Sequence, residues 1–137
     1  MPINPAASPP LPLALLICDG AHRDPATGKW TLLGLFNTLQ VAQFPFHMPQ
    51  MIAYLAMTDA QGKVPIKVKI VDSDEIHDPL FIQENEFPIK DPRVVTDIVI
   101  GIRGVSFPKP GEYRLQVFAN QEFLVERRID VIAARTE

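Results

Sequence analysis

One cysteine, Cys18, occurs in the 137 residues. It can form no internal disulfide and cannot by itself build a thiolate cage for a metal, so a reducing, cytoplasmic compartment is the expectation. Excess positive charge is missing too, since 13 Lys and Arg stand against 16 Asp and Glu for a formal charge of −3. With the cations scattered among acids there is no basic field to attract phosphates, and nucleic acid is not an expected partner. No apolar run approaches the ~18 residues needed to cross a bilayer, so no membrane partner is expected either. The apolar stretch "LPLALLIC" at 11–18 follows no Lys or Arg, stops at Asp19 and carries Ile17 where export processing needs a small residue. It reads as a strand, not as a signal segment. Finally, no GxSxG elbow, glycine-rich phosphate loop, HExxH pair or CxxC pair is present. A non-enzymatic protein without a cofactor is the resulting expectation.

What the chain does have is proline, 14 residues of it. Five of these fall in "MPINPAASPPLP", which deny backbone donors and read as a flexible leader over residues 1–12. The remainder, 13–137, is one ordinary domain's worth of chain, and the sequence is 47% hydrophobic and 21% charged, which is a globular composition.

From residue 13 onward, short alternating apolar runs are broken by turn signals. Strands are expected at 13–21, from Trp30 after the "RDPATGK" turn, and at 51–58, 64–71, 80–89, 93–105, 113–120 and 123–132. In 64–71, Val64, Ile66, Val68 and Ile70 alternate with Pro65, Lys67 and Lys69, and the proline and lysines mark it as an edge strand. About eight strands joined by short turns predict an all-β fold, a two-sheet antiparallel sandwich of immunoglobulin-like type, with a closed barrel as the alternative.

The stretches "ALLICDGAHRDPATGKWTLLGLF", "FPF" and "FPKPGEYRLQVFANQEFLVERRIDV" resemble a family of small bacterial proteins known only as a domain of unknown function. The resemblance spans most of 13–132. It implies a β-sandwich and brings no activity, ligand or site residue with it.

Within that frame each chemistry-bearing residue has a structural reading. Tyr113, after the Pro110-Gly111 corner, is expected to bury its ring and bond its hydroxyl to the neighbouring connection. Cys18 lies mid-strand and reads as a small packed hydrophobe. Gly34, inside a strand, marks a bulge or a close approach. Arg127 shares the parity of Phe123, Val125, Ile129 and Val131, which predicts either a bulge near "ERR" or an Arg bonded to a buried partner.

If every connection reverses direction, loops 43–50, 72–79 and 106–111 share one end. That would gather His47, His77, Asp72, Asp74, Glu75 and Asp78. These could supply part of a calcium shell, or a thin transition-metal set with Met48, but Asp and Ser in "VDSDEIHDP" are also what a solvated turn requires. The turn is the preferred reading, with no metal assigned, and His47, His77, Asp74 and Asp78 are held as ligand-binding candidates. The stronger surface signal is that 13–18, 32–36 and 51–57 are apolar at both parities. Soluble monomers rarely expose large apolar patches, so a second chain is expected to cover the surplus, with Met51, Tyr54 and Met57 as contact candidates. The functional expectation is a self-associating interaction or structural module; the alternative is a small-ligand or calcium-binding domain using loops 43–50 and 72–79.

Overall fold

The computed structural model describes residues 9–74 and 77–134. Among them there is no helix, and nine strands form in chain order: β1 (Leu11–Arg23), β2 (Trp30–Leu35), β3 (Thr38–Val41), β4 (Phe46–Thr58), β5 (Gly62–Asp72), β6 (Phe81–Ile89), β7 (Thr96–Phe107), β8 (Gly111–Ala119) and β9 (Glu122–Ala133). They make a four-stranded sheet of order β2-β1-β4-β7 and a five-stranded sheet of order β3-β9-β8-β5-β6. The five-stranded sheet curls into a half-barrel.

One core lies between the sheets. Period-2 alternation delivers Leu15 and Ile17 from β1, Met51, Ala53, Leu55 and Met57 from β4, and Ile98, Ile100 and Ile102 from β7. The other sheet meets them with Val64, Ile66, Val68 and Ile70 from β5 and Leu115, Val117, Ile129 and Val131 from β8 and β9. The turns form as their residues demand. Asp24 closes the β1–β2 turn by accepting from Gly28 N at 2.7 Å and Ala26 N at 2.8 Å, and Gly28 takes a φ of 75°. Asn120 and Gln121 take φ of 53° and 70° in the two-residue β8–β9 hairpin, the sense of twist that such a hairpin favours.

Four sequence expectations need correction. The expected strand set lacks β3, whose four residues run parallel to the end of β9, so the five-stranded sheet is not purely antiparallel. That strand is too short to show a period. Secondly, β1 begins at Leu11, and Leu11 and Pro12 pair with Thr58 and Met57, taking in the last two residues assigned to the leader. Thirdly, β5 is not an edge: it lies between β8 and β6. Pro65 is tolerated there because its carbonyl accepts from Asn120 N at 3.0 Å, so its donor-less nitrogen faces the side where β8 has already ended at Ala119. The two lysines answer to Phe118, over whose ring Lys67 Nζ and Lys69 Nζ stand at 5.2 and 5.1 Å.

Fourthly, β4 starts at Phe46, well before 51. The β4–β7 ladder passes over Pro49 and Gly104, which lie opposite each other, and the buried parity changes across them in both strands, from Met48 to Met51 and from Ile102 to Val105. A proline in a central strand is matched by a glycine at φ 75° in its neighbour, and the pair kinks together.

The two alternatives for Arg127 both occur. A register shift between Val117 and Phe118 bulges β9 at Leu124, and Arg127 donates from Nη1 to Leu15 O at 3.0 Å and from Nη2 to Asn37 Oδ1. Gly34 has a φ of 70°, and the Asp19 carboxylate lies where a β-carbon would stand, a close approach of side chain to backbone that only glycine admits.

Tyr113 is 2% exposed, donates its hydroxyl to Lys109 O at 2.6 Å, and meets the Phe107 ring edge-on at 4.9 Å. Replacing Tyr113 by Phe keeps the ring and strands the Lys109 carbonyl, so chemical denaturation should show a loss of about 1 kcal/mol at unchanged denaturant dependence. Unaltered stability would mean that the corner is held by ring packing alone.

Candidate functional site

Two regions gather chemistry. The first is the end where β5 and β8 leave the five-stranded sheet. Asp72 pairs with Tyr113 in register, and Ser73 N donates to Glu112 O at 3.1 Å, which brings 72–74 against 109–113 around a hollow of about 190 Å³ lined in part by Asp72, Asp74 and Lys109. The expected convergence is partial. His77 Nδ1 sits 2.6 Å from Asp72 Oδ2, while His47 pairs with Ser106 across β4–β7 with its Nδ1 2.8 Å from Ser106 Oγ. Each histidine therefore has its own partner. Asp74 accepts from Ser73 Oγ at 3.2 Å and is exposed, as is Asp78. Glu75 lies outside the described residues. Among the described residues no three of His, Cys, Asp and Glu come together as a metal shell.

The second region is the outer face of the four-stranded sheet. Cross-strand neighbours share a face, so Leu16, Tyr54 and Val99 align across β1, β4 and β7, flanked by Ala14, Ala56 and Asp97 on one side and Cys18, Ile52 and Gly101 on the other. Tyr54 donates its hydroxyl to Asp97 Oδ1. Together with Lys29, Trp30 and Leu32 these two residues line a shallow hollow of about 420 Å³, and Arg23 stands 5.9 Å over the Trp30 ring. Of the three contact candidates only Tyr54 reaches this surface. Met51 and Met57 are 0% exposed and belong to the core, because their parity turns them inward. A partner chain cannot touch them without unfolding the sheet.

Asp97 and Trp30 are the residues that sequence reasoning undervalued. The signal was available in part: Asp97 is an acid immediately before the Ile98, Ile100, Ile102 alternation and at the opposite parity to it. What pairs it with Tyr54 is the β4–β7 register, which no local pattern reveals. Chemically the pair is a fixed donor and acceptor. The hydrogen bond to Asp97, with burial, pushes the Tyr54 phenol up to about 12, which keeps it neutral at physiological pH and unsuited to act as a phenolate base. Burial likewise pushes up the Cys18 thiol, whose Sγ donates to Gly20 O at 3.2 Å, so a thiolate nucleophile is disfavoured there.

The model of one family covers residues 13–132, nearly all of the described chain. The chain belongs to the family of unknown function DUF6941. Membership agrees with the resemblance carried by the Cys18-Asp19, Gly34-x-Phe36 and Pro110-Gly111-x-Tyr113 steps, and it assigns no chemistry to any residue. No curated protein matches the chain. Among solved structures it is similar to the Pseudomonas fluorescens alkylpurine DNA glycosylase AlkC bound to DNA containing an abasic site analog, with 13% identity and a TM-score of 0.48. The likeness covers 87% of this chain and spans only 30% of that one, and a similarity at this level carries no argument about function.

Two measurements check the site chemistry. Both tyrosines of the chain are raised above their ordinary value of 10, Tyr54 by its bond to Asp97 and Tyr113 by burial. Phenolate absorbance should therefore stay low at pH 10 and rise only above it, with Tyr54→Phe removing the component near 12. Because the folded value lies above the unfolded one, the Tyr54 contribution to stability is complete below pH 10 and is lost as pH climbs toward 12. At the loop end, calcium and chelator should leave the thermal midpoint unchanged. A midpoint that rises with calcium and falls with chelator would replace the solvated turn by a cation site, since a ligand bound only to the native state must stabilise it.

Proposed function

We propose that this domain is a non-enzymatic interaction module that associates with itself through its four-stranded sheet. In this reading the scaffold is an immunoglobulin-like sandwich in a cytoplasmic protein, for which the lone buried Cys18 and the absence of a basic field are suited. The observation that carries it is the apolar character of that sheet outside the core. Leu33 and Leu35 on β2 are 55% and 59% exposed, Leu13 on β1 is 50% exposed, and Trp30, Leu32 and Tyr54 are half-buried around the 420 Å³ hollow of the same sheet. Apolar side chains grouped on one sheet are what a partner surface requires, and a symmetric copy is the commonest partner. Tyr54, an aromatic ring with a fixed polar tip, has the chemistry of an interface anchor.

Sedimentation of the full chain over a range of concentrations tests this, with expected mass rising from one chain toward two. Tyr54→Asp sets a second carboxylate beside Asp97 on the same face and should hold the protein as a monomer while leaving the far-ultraviolet β signal intact. A wild-type chain that stays monomeric at its highest soluble concentration would return the protein to the alternative, ligand binding by loops 43–50 and 72–79, for which the Asp72–Asp74–Lys109 hollow is the starting point.

A further inference from the structure

The four-stranded sheet ends on β7, and the chemistry of that edge is self-complementary. Which backbone groups are free there follows from hydrogen bonds on the far side of the sheet. Leu15 O is taken by Arg127 Nη1 at 3.0 Å and Ile17 O by Phe36 N at 3.1 Å, so these residues of β1 turn their backbone groups away from β4. Leu16 must then turn toward β4, and its partner Tyr54 toward β1, which leaves Ala53 and Leu55 directed at β7. Their partners Ile100 and Ile98 face back at them. The N–H and C=O groups of Asp97, Val99, Gly101 and Arg103 consequently point out of the sheet, and among the described residues no backbone bond from another element reaches them.

We propose that β7 pairs antiparallel with β7 of a second copy about a twofold axis at Ile100, joining two four-stranded sheets into one continuous sheet. This rests on the self-association reading and places the contact at β7, the edge of the sheet opposite the exposed leucines of β2. Only residues of the outward parity can bond across such an edge, and centring the pair on Ile100 sets Asp97 opposite Arg103 of the second copy and Val99 opposite Gly101 of the second copy. Moving the axis to Val99 would put Asp97 against glycine, and moving it to Gly101 would put it against Val105, so charge selects the register. Both charges are available. Tyr54 occupies Oδ1 of Asp97 and leaves Oδ2, while Arg103 is exposed and makes no ion pair or hydrogen bond among the described residues. Gly101 offers open space where the Val99 side chain of the second copy would lie.

The other long edge carries like charges and a proline, whereas the charges of this one are opposite in sign. β6 carries Glu84, Glu86 and Pro88, devices that block strand addition, whereas β7 from Thr96 to Arg103 has neither proline nor lysine. Val94 and Val95, both at least half exposed at the entry to β7, extend the apolar surface toward the Gly104 segment of the second copy.

Charge complementation by mixing tests the register, using sedimentation of the full chain. Arg103→Glu alone sets an introduced carboxylate against Asp97 at both ends of a homodimer, and Asp97→Arg alone sets two guanidinium groups together, so each should dimerise about tenfold or more weakly than wild type. An equimolar mixture of the two variants unites complementary partners and should recover association as a heterodimer, which no folding defect in either variant could do. Val99→Pro removes an N–H that faces the open edge and not β4, so it should abolish dimers while leaving the monomer folded. Dimers that persist in Val99→Pro, with no rescue on mixing, would overturn the edge pairing and leave self-association standing. A monomeric wild type would overturn both.

Discussion

Arg127 holds the corner on which the arrangement of the two sheets depends. Its guanidinium reaches from β9 to the main chain of β1 through Leu15 O and to the connection after β2 through Asn37. Asn37 O in turn accepts from Asp130 N at 3.0 Å, which starts the parallel docking of β3 on β9. One side chain therefore satisfies a carbonyl on the open edge of β1 and steers the chain from the first sheet to the second. A neutral side chain of that length could fill the space but could not bond both groups. The site is tightly built: Nε is buried and has no hydrogen-bond partner among the described residues, a local cost offset by the charged bonds its neighbours make.

That constraint explains what could be read from the sequence and what could not. The alternation in β5, β7 and β8, the turns at Asp24–Lys29 and Asn120-Gln121 and the corner at Tyr113 are local patterns, and the structure follows them. Arg127 was visible as an apolar-parity charge, which identified a buried partner or bulge, but not which carbonyl it would meet 112 residues earlier in the chain. The edge assignment of β5 failed because Pro65 and the lysines do signal blocked pairing, yet Pro65 only needs β8 to stop before it. β3 escaped notice because four residues docked by a crossing arginine carry no periodic signature. At the candidate surface, Met51, Tyr54 and Met57 are expected together and only Tyr54 lies outside the core, since a strand apolar at both parities does not say which face is the core.

The kink at Pro49 and Gly104 gives the four-stranded sheet its division of labour. Below it, β4 and β7 turn Met48, Val105 and Phe107 into the core beside the Tyr113 ring, so this half is fixed by packing. Above it, the β4–β7 register runs unbroken from Met51 to Met57 and from Thr96 to Ile102, with one parity in the core and Ile52 and Ala56 of the other parity buried as well. A regularly paired stretch that ends on an uncovered edge strand is a place where another strand can add.

The distribution of unsatisfied groups points the same way. At the loop end, polar side chains are already engaged in pairs: His77 with Asp72, His47 with Ser106, Ser73 with Asp74. On β7, no backbone bond from another element reaches the outward groups of Asp97, Val99, Gly101 and Arg103 among the described residues, and groups bonded to water exchange it for another strand at little loss when the side chains beside them are complementary. Tyr54 then has a role beyond its own surface area. By holding Oδ1 of Asp97 it fixes the carboxylate against the sheet with its second oxygen free, which lowers the side-chain entropy lost when a guanidinium approaches.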